Sequence, residues 1–345
     1  MNPRIAVVLF NLGGPDSVAT VKPFLVNLFS DPAIIRVPWP LRPILARLIA
    51  HRRAGVAERI YERLGGGSPL LANTQAQADA LTAALGDAET LRVFIAMRYW
   101  RPRAVETAKA VARFAPHQVV LLPLYPQFST TTTRSSVAEW QRAAHAAGLS
   151  TPSRLVCCYP DDPGFVAATA GHVRAALRDG GLEGRARVLF SAHGLPKRVV
   201  AGGDPYQAQV ERTVAAVVAA VGVPALDWVV CYQSRVGPLE WIGPSTDDEI
   251  RRAGADRVPI VVCPIAFVSE HSETLVELDI EYRHLAEQAG VPRFVRVPTV
   301  GNDPLFIDGL ARLVRDAMAR EPGACSGAGH RLCPATMACA MASAA

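Results

Sequence analysis

The sequence predicts an α/β protein built from two Rossmann-like domains, each a parallel sheet flanked by helices, with a cleft between them. Three observations carry this. Apolar, β-branched runs alternate with amphipathic stretches of helical length along the chain, which implies parallel sheets with helices on both faces. The runs are continuously apolar rather than alternating, as suits strands buried on both sides. The pattern also pauses at the polar segment Phe128-Ser-Thr-Thr-Thr-Thr133 and then resumes. The expected division is residues 1–124, residues 125–304, and a helix and tail over 305–345.

Taken in order, strands are expected at Ile5–Phe10, Leu91–Met97, Val119–Leu124, Val188–Phe190, Trp228–Cys231, Ile260–Phe267 and Phe294–Val297. Helices are expected over Val21–Phe29, Ile44–Leu64, Ala72–Leu85, Arg103–Phe114, Ser135–Ala147, Pro163–Arg178, Pro205–Val221 and Thr274–Gln288. Asn11-Leu-Gly-Gly-Pro15 follows the first strand as a glycine turn. It lacks the G-x-G-x-x-G spacing, so no nucleotide cofactor is expected. Ser30–Ala50 mixes large apolar residues with four prolines and spaced arginines, too many prolines for a buried helix. It reads either as a loop packed on its own domain or as an apolar lip over a pocket, resting on a bilayer surface.

Half of the 345 residues are hydrophobic and 19% are charged, which allows a sizeable core and excludes global disorder. The net charge of +5 is too dispersed to argue for nucleic acid. Apolar runs such as Val258–Val268 fall short of the roughly 20 residues a spanning helix needs. Met-Asn-Pro-Arg leads directly into the first strand and shows no signal-peptide cleavage pattern. The expected location is therefore the cytoplasm, with at most a peripheral contact at the inner face of the membrane. Oligomeric state is not legible.

The chemistry gathers at strand ends. Arg187-Val-Leu-Phe-Ser-Ala-His193-Gly-Leu-Pro196 is a buried strand that delivers an imidazole to the carboxyl edge of a sheet, where ligands bind in open α/β folds. A second apolar strand, Ile260–Phe267, runs into Glu270, His271 and Glu273. The helix after it carries Glu273, Glu277 and Glu281 at i, i+4 and i+8, like charges on one face that repel. An acid in a first helical turn complements the helix dipole, which accounts for Glu270 and Glu273 but not for Glu277 or Glu281. A row of carboxylates leading to a histidine suits the passage of a hard cation or of protons. His193 and Glu273 form an N/O pair suited to Fe(II), too few ligands to close a structural site, so delivery of a metal is the expected chemistry.

At these residues the sequence resembles the ferrochelatases. The motifs are Val8-Leu-Phe-Asn-Leu-Gly-Gly-Pro15, Leu64-Gly-Gly-Gly-Ser-Pro69, Met97-Arg98-Tyr99, Leu124-Tyr-Pro-Gln-Phe128, Ser191-Ala-His-Gly-Leu-Pro196, Gly203-Asp-Pro-Tyr206, Gln233-Ser-Arg-Val-Gly-Pro238, Trp241-Ile-Gly-Pro244 and His271-Ser-Glu-Thr-Leu-Val-Glu-Leu-Asp-Ile-Glu-Tyr282. The resemblance implies the chelatase fold with a porphyrin in the interdomain cleft. It also implies insertion of Fe(II) into protoporphyrin IX to give protoheme with release of two protons, at the end of heme synthesis. His193 and Glu273 are the implied catalytic pair, binding iron or accepting pyrrole protons. His271, Glu277 and Glu281 match the path beside them. Arg52, Tyr61, Ser68, Arg98, Tyr99, Tyr125 and Trp241 are the implied porphyrin contacts. Coproporphyrin as the substrate, and a non-catalytic heme or iron carrier, are the alternatives.

Seven cysteines in a chain of this size argue against a disulfide framework. Cys231 and Cys263 lie in apolar strands, whereas Cys325, Cys333 and Cys339 lie in a Gly- and Ala-rich tail without zinc-finger spacing. Some ferrochelatases hold a [2Fe–2S] cluster on three such cysteines and a distant fourth. Animal members place the fourth in the motif matching Tyr125-Pro-Gln-Phe-Ser-Thr130, where this chain has Thr130. Cys158 is the expected substitute, with Cys157 beside it.

Overall fold

The computed structural model describes residues 3–35, 37–86, 90–235 and 237–333. The chain forms two compact units, Met1–Cys158 with Leu310–Ala345, and Tyr159–Gly309. The division thus falls after Cys158 rather than after Leu124. The helix following Leu124 and one further strand still complete the first sheet, and the chain returns to that sheet at its end.

In the first unit, β1 (Ile5–Asn11) is central, paired in parallel with β2 (Leu91–Met97) and β3 (Gln118–Pro123). Beyond β3 come β4 (Ser153–Val156) and β9 (Gly323–Cys325), giving the order β2-β1-β3-β4-β9. All seven residues of β1 are buried, as expected of a strand covered on both faces. The unit's helices are α1 (Val21–Phe29), α2 (Arg42–Arg63), α3 (Leu70–Leu85), α4 (Ala104–Phe114) and α5 (Thr133–Ala146). Neither β4 nor β9 stood out in the sequence, because Ser-Arg-Leu-Val and Gly-Ala-Cys hold no run of large apolar residues to register.

The second unit holds a four-stranded parallel sheet in the order β6-β5-β7-β8, from β5 (Arg187–His193), β6 (Asp227–Gln233), β7 (Ile260–Pro264) and β8 (Phe294–Arg296). Around it lie α6 (Pro163–Asp179), α7 (Lys197–Ala201), α8 (Tyr206–Val221), α9 (Thr246–Asp256) and α10 (Tyr282–Gln288). α11 (Pro304–Met318) carries the chain across the boundary between units. Asp162 caps α6 by accepting from the backbone N–H groups of Gly164 and Phe165 at 3.0 Å, and Ser245 caps α9. α9 was not expected, since its sequence is dominated by acids and arginines; its apolar contribution is confined to Ile250 and Ala253.

The proline-rich segment resolves into turns followed by α2, with Pro43 accommodated in the first helical turn. It leaves Trp39, Leu41, Ile44 and Leu48 exposed by 77, 57, 66 and 45%. Among the described residues no helix is long and apolar enough to cross a membrane.

Candidate active site

β5 lies between β6 and β7, and its register pairs His193 with Gln233 of β6. Alternation along β5 puts Ser191 and His193 on the same face. Ser191 Oγ donates to Gln233 Oε1 at 2.8 Å and shares a 2.8 Å contact with Thr246 Oγ1, so the polar residues preceding His193 are tied down. Gly194 then passes close to its neighbours. A Cβ there would lie 2.9 Å from Gln233 O and 3.2 Å from a ring carbon of Trp241, which only glycine avoids.

Glu273 opens a π-helix spanning Glu273–Glu281, and its Oε2 lies 2.8 Å from His193 Nδ1. The two residues are 80 positions apart in sequence, and the carboxyl ends of β5 and β7 bring them together. Burial alone would depress the imidazole, but the charge and hydrogen bond of Glu273 outweigh it and raise His193 above its ordinary value. Burial likewise opposes ionisation of Glu273, but His193 overrides it and holds the carboxyl down at about 2. Glu277 moves the other way, since burial and the neighbouring Glu273 charge both push it up. Carboxyls four residues apart therefore differ in proton affinity, a pattern suited to acid–base work.

Ser234 ties the two acids together. Its N–H donates to Glu277 Oε1 at 2.8 Å, and its hydroxyl reaches Glu277 Oε2 at 2.5 Å and Glu273 Oε2 at 3.2 Å. The backbone there has φ of 60°, a left-handed conformation that a non-glycine residue holds only at a cost of roughly 1–3 kcal/mol. Gln233 adds a donor to Glu277 at 3.3 Å. Sequence reasoning singled out neither side chain, although both stand in a quoted motif. What was missing was the backbone turn that aims them.

His271 is buried, with Nδ1 3.0 Å from Ser269 O and its ring 4.7 Å from that of Phe267, and it is a lesser influence holding the Glu273 carboxyl down. Glu281 is exposed, four residues beyond Glu277 at the end of the same π-helix. Trp241 bridges to Pro196 beside Gly194.

The remaining expected porphyrin contacts lie in the first unit. Arg98 and Tyr99 are 9% and 0% exposed and belong to a buried network around Asp31. Asp31 Oδ2 accepts from Arg98 Nη2 and the Tyr99 hydroxyl at 2.8 Å and from Ser135 Oγ at 2.5 Å. Tyr99 therefore offers no surface to a ligand in this structure, and Arg98 already has a carboxylate partner. Tyr61 is buried, Tyr125 packs on the core of the first sheet, and Arg52 is exposed on α2. Ser68 sits on a glycine loop that docks on the turn after β1, with its N–H bound to Pro15 O at 2.7 Å.

Cys325 pairs with Val156 across β9 and β4, and its carbonyl accepts from Cys157 N–H at 2.8 Å. The Cys157 and Cys158 sulfurs are 3.8 Å apart. Hydrogen bonds from Cys157 and Cys158 hold the Cys333 thiol down at about 3. These thiols do not close a metal-binding group among the described residues, and Cys339 lies outside them.

A family model described as Ferrochelatase matches residues 4–318. A ferrochelatase of Caulobacter vibrioides is 55% identical over 331 residues, covering 95% of this chain and 94% of that protein. A ferrochelatase of Phenylobacterium zucineum is 54% identical over 336 residues, covering 96% of each. Among solved structures, SirB from Bacillus subtilis with Fe3+ matches with a TM-score of 0.54 at 15% identity, over 92% of this chain and 96% of that one. The sirohydrochlorin chelatase SirB in complex with cobalt matches at 0.52. At that identity the structural likeness speaks for the fold.

Proposed function

The chain belongs to the ferrochelatase family, and we infer its working parts from that premise. The protein inserts Fe(II) into protoporphyrin to form protoheme, with release of two protons. A free-base porphyrin blocks its own centre with two N–H groups, so insertion needs a base, a metal path, and a pocket that holds the ring distorted toward the transition state. The observation that carries the site assignment is the 2.8 Å contact between His193 Nδ1 and Glu273 Oε2 at the sheet edge. With Nδ1 occupied by the carboxylate, Nε2 is the nitrogen left for substrate. Glu273 stays ionised, orients the ring and raises its basicity. Together the two residues offer Fe(II) one nitrogen and one carboxylate oxygen on its way in, and a base to the pyrrole protons on their way out. Two ligands hold a metal loosely enough to release it to four pyrrole nitrogens.

Trp241, beside His193, is the porphyrin contact that this geometry favours; Arg52, with Ser68, is suited to the propionates. Arg98 and Tyr99, buried around Asp31, serve as framework within the first unit. The exposed Trp39, Leu41, Ile44 and Leu48, together with the arginines of α2, suit peripheral contact with an anionic bilayer from the cytoplasmic side. Cys325, Cys333 and Cys339, with Cys158 or its neighbour Cys157, suit a [2Fe–2S] cluster. The support is an all-thiol donor set, of which Cys333 interacts with Cys157 and Cys158. Such a cluster would supply a redox centre, and no step of insertion runs through it.

The test is His193→Ala, assayed anaerobically with Fe(II) and protoporphyrin. Insertion should be abolished while porphyrin still binds, and near-normal turnover would remove His193 from the reaction.

A further inference from the structure

Glu277 precedes Tyr282 by five residues, and the local winding gives that spacing its meaning. In an α-helix five residues make roughly 1.4 turns and put two side chains on different faces. The π-helix closes its hydrogen bonds five residues apart, so Glu277 and Tyr282 come to one side. The Tyr282 hydroxyl lies 3.3 Å from Glu277 Oε1 and 3.1 Å from Asp247 Oδ2. Tyr282 is 6% exposed, whereas Asp247, in the first turn of α9, keeps part of its surface in water.

One phenol therefore bridges two carboxylates. It has a single proton and can donate to one of them, so satisfying both contacts requires a proton on the other. Glu277 is the better holder, because burial and Glu273 push its carboxyl up, whereas Asp247 stands at the water-facing end of the line. Hydrogen bonds run without a break from His193 to Glu273, to the Ser234 hydroxyl, to Glu277, to Tyr282 and to Asp247. The line leaves the acidic row at Glu277 and does not use Glu281.

We propose that Tyr282 and Asp247 form the exit for the protons that metal insertion releases, a relay from Glu277 through the Tyr282 hydroxyl to Asp247 and then to water. Each pyrrole N–H bond breaks as its nitrogen turns its lone pair to the metal, and the proton passes to His193. At every later hop one bond to hydrogen breaks and one forms. Glu277 gives its proton to the tyrosine oxygen as the tyrosine's own proton moves to Asp247, which releases it to solvent. Burial and the two carboxylates push the Tyr282 phenol far up, so the two transfers run together and no phenolate forms. Two protons leave as one Fe(II) enters, and the charge of the site is unchanged. Both residues act through Glu277 and do not touch the porphyrin.

This relay rests on the iron-insertion reading, and one experiment separates the two. Steady-state anaerobic insertion is measured in H2O and D2O for the unmodified protein, Tyr282→Phe and Asp247→Asn. The relay predicts that kcat falls roughly five- to tenfold in each variant, with KM for both substrates unchanged and a larger solvent isotope effect. The double variant should be no slower than the slower single one, since both lie on one path. Because Asp247 is partly exposed, its variant keeps the test valid if Tyr282→Phe folds poorly. Single variants within about twofold of the unmodified kcat overturn the relay, as does a loss that appears in KM or tracks a fall in Tm. If the unmodified protein inserts no iron, the reading beneath the relay fails instead.

Discussion

Glu273→Gln separates the charge of this residue from its shape. The amide can still accept from His193 Nδ1 and from Ser234 Oγ, but its charge is gone. With the carboxyl held at about 2 against an ordinary 4.5, the gross coupling corresponds to about 3 kcal/mol. His193 is 41% exposed, so solvent screening reduces this to roughly 1 kcal/mol. The substitution also relieves the repulsion that pushes Glu277 up, which offsets part of the remainder. A depressed carboxyl stabilises the fold above its unfolded value and loses that contribution as pH falls toward 2. A raised imidazole stabilises below its unfolded value of 6.5 and loses that contribution as pH rises through its folded value. The pair therefore contributes most between 4.5 and 6.5, and urea unfolding of the variant should show its deficit there, shrinking at higher and lower pH. Turnover should fall at least about 100-fold, because the imidazole loses the charge that raises its basicity. Near-normal insertion would refute the reasoning. A stability loss well above 3 kcal/mol with a matching loss of folded protein would refute it differently, by making Glu273 a structural residue.

Gly194→Ala should cost about 1–3 kcal/mol in urea unfolding and displace His193 enough to lower kcat by roughly 10- to 100-fold, because the new Cβ meets Gln233 O and Trp241. Asp31→Ala should destabilise the protein by about 3 kcal/mol, since it leaves Arg98 with its bond to Ser135 Oγ and with Glu139, 3.8 Å away, as its remaining carboxylate among the described residues. Removing Arg98 as well, as Asp31→Ala with Arg98→Met, should recover part of that loss. Trp39→Glu combined with Ile44→Glu should abolish flotation with anionic vesicles, and retention of vesicle binding would place the contact elsewhere. Cys325→Ser should remove the visible absorption of a [2Fe–2S] cluster from the purified protein, and an unchanged spectrum would exclude Cys325 as a ligand.

Much of this architecture was readable before any coordinates. The strands that place His193 are five to seven residues long and carry runs of large apolar residues, so their positions follow from the sequence pattern. The two short strands of the first sheet are not readable this way, and without them the boundary between units is set too early. At the site, the histidine and the first glutamate were legible because each ends a strong strand. Ser234, Asp31 and Tyr282 were not, for a shared reason. A serine, an aspartate or a tyrosine is unremarkable in sequence until a left-handed turn, a buried arginine or a π-helical winding gives it partners. The spacing of Glu273, Glu277 and Glu281 was legible, but the contact of Tyr282 with Glu277 was not, because residues five apart share a side only under π-helical winding.

The central claim is that this chain exchanges two pyrrole protons for one iron at His193 and Glu273. The most direct measurement mixes the porphyrin-loaded protein with Fe(II) under strict anaerobiosis and follows heme absorption and a pH indicator together. The account predicts one heme and two protons per iron in the unmodified protein, and neither signal in Glu273→Gln loaded with the same porphyrin. Bound porphyrin whose spectrum does not change when Fe(II) is added to the unmodified protein would contradict it.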